Sequence, residues 1–498
     1  MIASLYRAAG QAVGILLMVL VTGAYASGKK PNVLFIVCDD LNTHVSTSGY
    51  QHISTPAFDE LAAAGMTFDR AYCQYPVCGP SRASFLSGLY PESTGVLDNK
   101  TDIRDTLPGV VSMPQHFKQS GYWTGAVGKV FHNERADPGE TAWHKGVRFE
   151  NEEMPFVTPI REEFEAEHGP ITSGRSRRKW RSFYPTIATQ TRGQQPGYGP
   201  SGLRDSQHKD GKNARQVAAW LEERTFSDKP FFIACGIQKP HVPFLAPDKY
   251  FDRYPREGLV FAPASLEYWD SVPALAKTRR YNGFGFEFGV ENDSLRRDFI
   301  QAYHACVSFI DAQIGLVFDA LKHSGHWEDT VVVLTSDHGF MLGEKFMWGK
   351  VMLFEQCDRV PLIIRVPDSV KAMSVTEGAT SESLVELVDL YPTLSDFCGI
   401  TKPSGLQGRS LVAVLNDPSE RVKDVAYTVV SRGAHLGKAI RTSRYRYTEW
   451  PQGEELYDLQ DDPEEETNLA SLASSGSLLE AMRAKLERTE KKAASMRR

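Results

Sequence analysis

Long apolar runs that end in charged residues set the rhythm of this chain. Pro31-Asn32-Val33-Leu34-Phe35-Ile36-Val37-Cys38 runs without a polar face into Asp39-Asp40. Such a run predicts a strand covered on both sides. Lys229–Gly236, Thr330–Ser336 and Val360–Val366 predict three more strands, and Gly125–Lys129 the end of another. Thr55–Ala64 and Ser383–Cys398 read as helices. So does Phe299–Ser324, whose apolar stripe passes through Ala302, Ala305, Phe309, Ile310, Ile314, Val317 and Leu321. Strands alternating with helices predict a layered α/β domain.

Two stretches break the rhythm. Asn133–Asp210 is polar and rich in Gly, Pro and charge, and is too long for a plain connection. It reads as an insertion near the mouth of a site. Its basic run Arg175-Ser176-Arg177-Arg178-Lys179 reads first as a solvated charge cluster and second as a contact for a polyanionic substrate. From near Pro418 the pattern changes again. Val425–Trp450 alternates like short antiparallel strands, Leu456-Tyr457-Asp458-Leu459 follows, and a closing helix is expected from about Leu478. The expected organisation is a leader over 1–26, a main domain over 27–417 and a C-terminal subdomain over 418–498. No internal repeat is visible.

Composition bounds the picture. The chain has 498 residues, 41% hydrophobic and 24% charged, an ordinary globular balance with enough length for a large core. The formal net charge is -6, so no overall basic field draws it to nucleic acid. At the N-terminus, Arg7 precedes the apolar run Val13–Val21, and Ala24-Tyr25-Ala26 supplies an A-x-A cleavage site. This predicts a secretory signal, a mature chain from Ser27, and an exported, periplasmic or secreted protein. An uncleaved anchor is the alternative, but the run is short against the roughly 20 residues of a span. No later stretch reads as a membrane crossing. Of seven cysteines, Cys38 and Cys235 lie in strand-like runs where buried free thiols are common, and no metal-type C-x-x-C pair occurs.

The candidate chemistry sits at the ends of these runs, where α/β folds place their sites. Cys78-Gly79-Pro80-Ser81-Arg82 comes first. Pro80 fits the first turn of a helix, Ser81–Ser87 continues it and Gly88 can close it. Cys78 then stands at a helix N-terminus, where free N–H groups favour an anion, and Arg82 adds a fork suited to sulfate or phosphate. Taken alone, the same residues describe a structural cysteine before an ordinary helix. Asp39-Asp40 and Asp337-His338 end two strands. Adjacent carboxylates repel unless a cation resolves them, although Asp39-Asp40 alone could equally be a helix cap or turn. Oxygen ligands of this kind suit Ca²⁺ first and Mg²⁺ second. The candidate metal ligands are therefore Asp39, Asp40, Cys78, Asp337 and His338, the last as ligand or as a neighbour of the ligands. Lys129 and His132 in Gly128-Lys129-Val130-Phe131-His132, His241 between two prolines in Lys239-Pro240-His241-Val242-Pro243-Phe244, and Lys350 complete the set.

The first of these segments resembles the C-x-P-S-R signature of the type I sulfatases. The full order of D-D, C-x-P-S-R, G-K-V-F-H, K-P-H-x-P-F and S-D-H-G, followed by L-G-E and a lysine, is similar to the iduronate-2-sulfatase-like branch. Ser383–Leu394, Arg446–Trp450 and Glu455–Asp458 also look like later segments of that branch, so the likeness runs from about Pro31 to Asn468. There are departures: Lys345 stands where the family has L-G-E-H, Asn133-Glu134 replaces a Pro-Gly turn, and the insertion has no clear match. They bear on which sugar is recognised.

The resemblance implies the alkaline phosphatase superfamily fold, a large mixed sheet between helices with a small C-terminal antiparallel sheet and a helix. It implies sulfate-ester hydrolysis on a glycan, either a 2-O-sulfated uronic acid or a sulfated algal oligosaccharide. It further implies that a maturation enzyme oxidises Cys78 to formylglycine, whose hydrate attacks sulfur with Ca²⁺ and a carboxylate such as Asp337 assisting. Lys129, His241 and Lys350 would hold the sulfate, and His241 or Lys350 would assist the leaving group. His132 would help expel the sulfate, and Arg82 would orient residue 78. Relatives of this fold also cleave phosphate or phosphonate esters, and a carbohydrate-binding protein without activity would be expected had a catalytic position been lost; none is.

Overall fold

The computed structural model describes residues 30–180, 182–183, 197–261, 266–278, 284–370 and 376–495. The leader expected over 1–26, with cleavage before Ser27, lies outside the described residues. The first apolar run is strand β1 (Asn32–Asp39), buried at every position. Burying each of its large apolar side chains contributes about 1.5–3 kcal/mol, enough to make it the natural centre of a sheet.

Seven strands join β1 in the main sheet: β2 (Met66–Phe68), β3 (Trp123–Gly128), β4 (Lys145–Val147), β5 (Phe231–Pro240), β6 (Thr330–Ser336), β7 (Leu362–Arg365) and β8 (Ala379–Ser381). Their spatial order is β8-β2-β7-β6-β1-β5-β3-β4. All run one way except β7, which is antiparallel to β6 and β2. The sheet is therefore mixed, and the central strands β6, β1, β5 and β3 all point their C-terminal ends to the same edge. Register aligns Cys38 with Ser336 and Asp39 with Pro240.

Side chains of β1 alternate between two cores. Leu34, Ile36 and Cys38 join α1 (Pro56–Ala63), α3 (Lys209–Glu222) and α4 (Asp293–His323). Val33, Phe35 and Val37 join Phe85 and Leu86 of α2 (Cys78–Ser87) and Leu390 and Leu394 of α5 (Leu390–Phe397). Helices thus cover both faces. α4 is capped by Asn292, whose side chain accepts from the Leu295 N–H. Its 31 residues are long and apolar enough to cross a membrane, contrary to the sequence expectation; in the fold most of the apolar stretch is core.

The C-terminal segment forms a four-stranded antiparallel meander, β9 (Ala426–Arg432), β10 (His435–Arg441), β11 (Tyr445–Trp450) and β12 (Gly453–Asp458), with α6 (Gly476–Ala493) packed on it. Buried ion pairs join it to the rest. Arg446 of β11 meets Glu355 and Asp358 at 2.6 Å and Glu465 at 2.7 Å. Lys423 meets Glu386 and Asp389, both at 2.6 Å. The described residues from Pro31 onward cluster as one compact unit.

Several expected elements change. The strand expected over Lys229–Gly236 runs on to Pro240, carrying Lys239 to the sheet edge. Pro361, with no N–H to donate, splits the run Val360–Val366: Arg359–Val360 pairs with Ala71–Tyr72, and β7 begins at Leu362. The helix expected over Ser383–Cys398 starts late, because Val385–Glu386 is a short strand paired with Ala71–Tyr72 and a single 3-10 turn precedes α5. The stretch Asn133–Asp210 is not all insertion, since β4 extends the main sheet beside β3. All seven cysteines are free and buried.

Candidate active site

Helix α2 begins at Cys78 and ends at Gly88, whose φ of 71° closes it. The helix aims its N-terminus at the edge where β1 and β6 stop. Pro80 sits in the first turn, and Arg82, one turn on, is buried. Arg82 Nε donates to Asp337 Oδ2 at 2.8 Å, and its other nitrogens donate to the carbonyls of Lys129, Val130 and Cys38. One guanidinium therefore ties the ends of three strands to the start of α2.

Around Cys78 the expected residues converge. Its thiol donates to Asp39 Oδ1 at 3.2 Å, Lys350 Nζ donates to the sulfur at 3.2 Å, and His338 Nε2 lies 3.5 Å away. Lys129 Nζ donates to Asp39 Oδ2, and Lys350 Nζ donates to Asp40 Oδ1. His338 Nε2 is also 3.4 Å from Asp40 Oδ1 and 3.5 Å from Asp337 Oδ1. His241 Nε2 faces Asp40 Oδ2 at 4.0 Å. His132 and His241 stand beside the thiol, and both favour its ionised form.

Charges set the protonation states. Burial alone would raise the Cys78 thiol, but Lys129 and Lys350 with the two histidines hold it well below its ordinary value. Asp39, despite burial and the neighbouring thiolate, is held at about 2 by Lys129, His241 and Arg82. Burial pushes Asp337 up to about 6 against the pull of Arg82 and His338. Burial opposes protonation of His338, yet Asp337 raises it to about 9. The site thus favours an anion at residue 78, beside one carboxyl raised towards neutrality.

A cation fits the same centre. Asp39, Cys78, Asp337 and His338 form one set of donor atoms within 4.8 Å of one another, and Asp39, Asp40, Cys78 and His241 form a second. Asp40 Oδ2 is buried and accepts no hydrogen bond. With His241 Nε2 no nearer than 4.0 Å, this buried carboxylate oxygen has a lone pair left for a cation. Three carboxylates (Asp39, Asp40, Asp337) face three fixed cations (Arg82, Lys129, Lys350). A divalent ion entering with a singly charged ester head group shifts that balance by one positive charge.

The sequence places every candidate here, but it misses the residues that hold them. Tyr303 on α4 donates to the Asp40 carbonyl at 2.8 Å and accepts from the Asn42 N–H at 2.9 Å. This pins Asp40 in the left-handed conformation, φ 65°. Ser81 Oγ donates to the Asp337 carbonyl, and Ser336 Oγ accepts from the Leu41 N–H. A tyrosine in the apolar face of a predicted helix was the one readable signal among these. Beside Lys129 and His132 opens a hollow of about 510 Å³, lined by Asn133, Arg135, Arg148 and Lys209. The early part of the polar stretch, Asn133 to Arg135 with Arg148, lines this hollow.

The sulfatase family model matches residues 31–400, and the model described as N-sulphoglucosamine sulphohydrolase, C-terminal, matches residues 343–492. A sulfatase of Formosa agariphila is 33% identical over 477 residues, covering 92% of this chain and 87% of that one. The iduronate 2-sulfatase of Homo sapiens is 27% identical over 547 residues, covering 93% and 95%. The crystal structure of a phosphonate monoester hydrolase of Agrobacterium radiobacter superposes with a TM-score of 0.74 at 23% identity, covering 93% and 96%, and so shares the fold. With its signature cysteine at the head of α2 and the match running through both parts of the chain, this protein belongs to the sulfatase family and is a sulfuric ester hydrolase.

Proposed function

We propose that this sulfatase removes sulfate from a glycan through a formylglycine made from Cys78. The substrate is a 2-O-sulfated uronic acid, as in heparan or dermatan sulfate, or a sulfated algal oligosaccharide. The observation that carries the reading is the ring of Lys129, Lys350, His132 and His241 around residue 78, which favours an anion there. Support for the substrate class comes from the iduronate 2-sulfatase likeness.

Each residue then has a task. Arg82 fixes the start of α2 and the Asp337 carboxylate, so residue 78 meets the ester from one direction. Asp337, raised to about 6, accepts the proton from the attacking hydroxyl of the hydrated residue 78. Lys129 and Lys350 face the charge that builds on the sulfate oxygens. His241 or Lys350 steadies the departing alkoxide, and His132 takes a proton as sulfate is released. Asp39, Asp40 and Asp337, with residue 78 and His338 at the edge, would hold a hard divalent cation, Ca²⁺ first and Mg²⁺ second. Such an ion would supply positive charge for the ester group. A formylglycine-generating enzyme and export to the periplasm or medium complete the reading, supported by the Arg7 and Ala24-Tyr25-Ala26 pattern.

The test is sulfate release by protein co-produced with a formylglycine-generating enzyme, across sulfated uronic-acid disaccharides and algal oligosaccharides. Release by the wild type and none by Cys78→Ala is expected. Converted Cys78 that releases phosphate from phosphate or phosphonate esters but no sulfate from any sugar would overturn the reading.

A further inference from the structure

At the far end of α2, about 15 Å along the helix from Cys78, lies a second concave site. It begins at Tyr90 and is walled by Arg409, Arg421, Lys423, Lys485, Arg488 and Lys492. The hollow holds about 290 Å³. Its lining carries six cations against two carboxylates, Glu386 and Asp424, a local charge of +4 (6 − 2) on a chain whose net charge is -6. The charge is therefore concentrated rather than general.

Four of these cations lack an acidic partner among the described residues. Lys423 is neutralised by buried Glu386 and Asp389, but Arg421, Lys485, Arg488 and Lys492 have no carboxylate at ion-pair distance among the described residues. Lys485, Arg488 and Lys492 fall at i, i+3 and i+7 of α6, so the helix presents them as one stripe. Lys492 is held below its ordinary value first by partial burial and then by Lys423 and Arg409, with Glu386 and Asp389 opposing.

The hollow is open-ended. A neighbouring one of about 360 Å³ shares Arg421, Lys423, Asp424 and Lys485 with it and continues past Arg444 and Tyr445. A single small anion would use one hollow; two contiguous hollows joined through Arg421, Lys423 and Lys485 form a longer groove, which suits an extended polyanion. We propose that this groove binds a sulfated polysaccharide, apart from the catalytic centre, and holds the polymer while one of its sulfates is processed. The assignment of the polymer class rests on the glycan reading given above.

The experiment uses the full chain carrying Cys78→Ala, so that binding is read without turnover, with fluorescent heparin and ι-carrageenan oligosaccharides as probes. The quadruple variant Arg421→Gln, Lys485→Gln, Arg488→Gln, Lys492→Gln changes only partly or fully exposed side chains. It is expected to weaken polymer binding about tenfold or more and to flatten its salt dependence. In the Cys78 background the same four changes should leave kcat/KM on a small sulfated aryl ester unchanged. Unchanged polymer affinity in the quadruple variant overturns the proposal. So does binding of single-stranded DNA, or of vesicles with three parts phosphatidylglycerol to seven of phosphatidylcholine, that equals the glycan binding and falls equally in the variant. A wild type that binds the probes through the groove but releases no sulfate would instead count against the catalytic reading alone.

Discussion

Replacing Arg446 by Met removes one buried guanidinium and leaves three carboxylates facing each other. Arg446 lies 2.6 Å from Glu355, 2.6 Å from Asp358 and 2.7 Å from Glu465, and Asp358 and Glu465 are fully buried. Even with the cation present, burial pushes Asp358 up to about 8 and Glu465 up to about 7. Glu355, despite its burial, stays at about 2 because Arg446, Arg441 and Arg359 surround it. Methionine keeps the packing of the stem, so the loss is electrostatic. Breaking a buried pair of this kind costs about 3–5 kcal/mol. For a chain of this length that is roughly 3–5 °C in Tm. The sign of the pH dependence follows. With Arg446 gone, the folded-state values of Asp358 and Glu465 rise further above their unfolded values. A carboxyl raised in this way favours folding most at low pH and loses that contribution as pH rises through its folded value. Scanning calorimetry should therefore show a larger Tm deficit at pH 8 than at pH 5.5, and Asp358→Asn added to the variant should recover part of it. A deficit equal at both pH values, or below about 1 kcal/mol, would refute the reasoning.

Other outcomes are expected. Lys350→Met should lower kcat on a sulfated aryl ester by about 10²–10³, the scale for removing one donor to developing charge, with the far-UV spectrum unchanged. Activity within threefold of wild type would remove Lys350 from the mechanism. Chelation of the matured protein should abolish turnover, with Ca²⁺ restoring it at lower concentration than Mg²⁺; turnover that survives exhaustive chelation would exclude the cation. His208, buried against Phe309 and bonded to Ser201, is lowered by burial and by Lys239 to about 4. Below its unfolded value near 6.5 only the unfolded chain takes the proton, so stability falls as pH drops from 6.5 towards 4, by up to about 3 kcal/mol. His208→Gln should flatten that part of the urea-midpoint profile, and an unaltered slope would show that His208 does not contribute.

The main strands and the site residues were legible because one pattern carries both. An apolar run that ends in Asp39-Asp40 or Asp337-His338 states where the strand stops and what chemistry stops with it. Less was legible where a residue's state depends on distant partners. Glu386 lies in a stretch that reads as helix, yet it bonds to Tyr90, Gln74 and Lys423 and accepts the Tyr427 N–H, and these fix it in a short strand. Lys145-Gly146-Val147 has too few apolar positions to announce a strand; it pairs only because β3 presents an open edge. The α4 start at Asn292 was missed because its first turn is polar and its cap is a single side-chain bond.

The connectivity of β1 has a consequence in time. β1 pairs with β5 and with β6, so the centre of the sheet cannot close until Ser336 has been made. That is 258 residues after Cys78 (336 − 78). At synthesis rates of about 5–20 residues per second, the delay is roughly 13–50 s. During this interval the strands that bury Cys78 are incomplete. Once the sheet closes, the side chain is 1% exposed. If Cys78 is oxidised as proposed, the oxidising enzyme would compete against the clock of translation rather than against the stability of the finished fold, and slowing synthesis between residues 78 and 336 should raise the fraction converted.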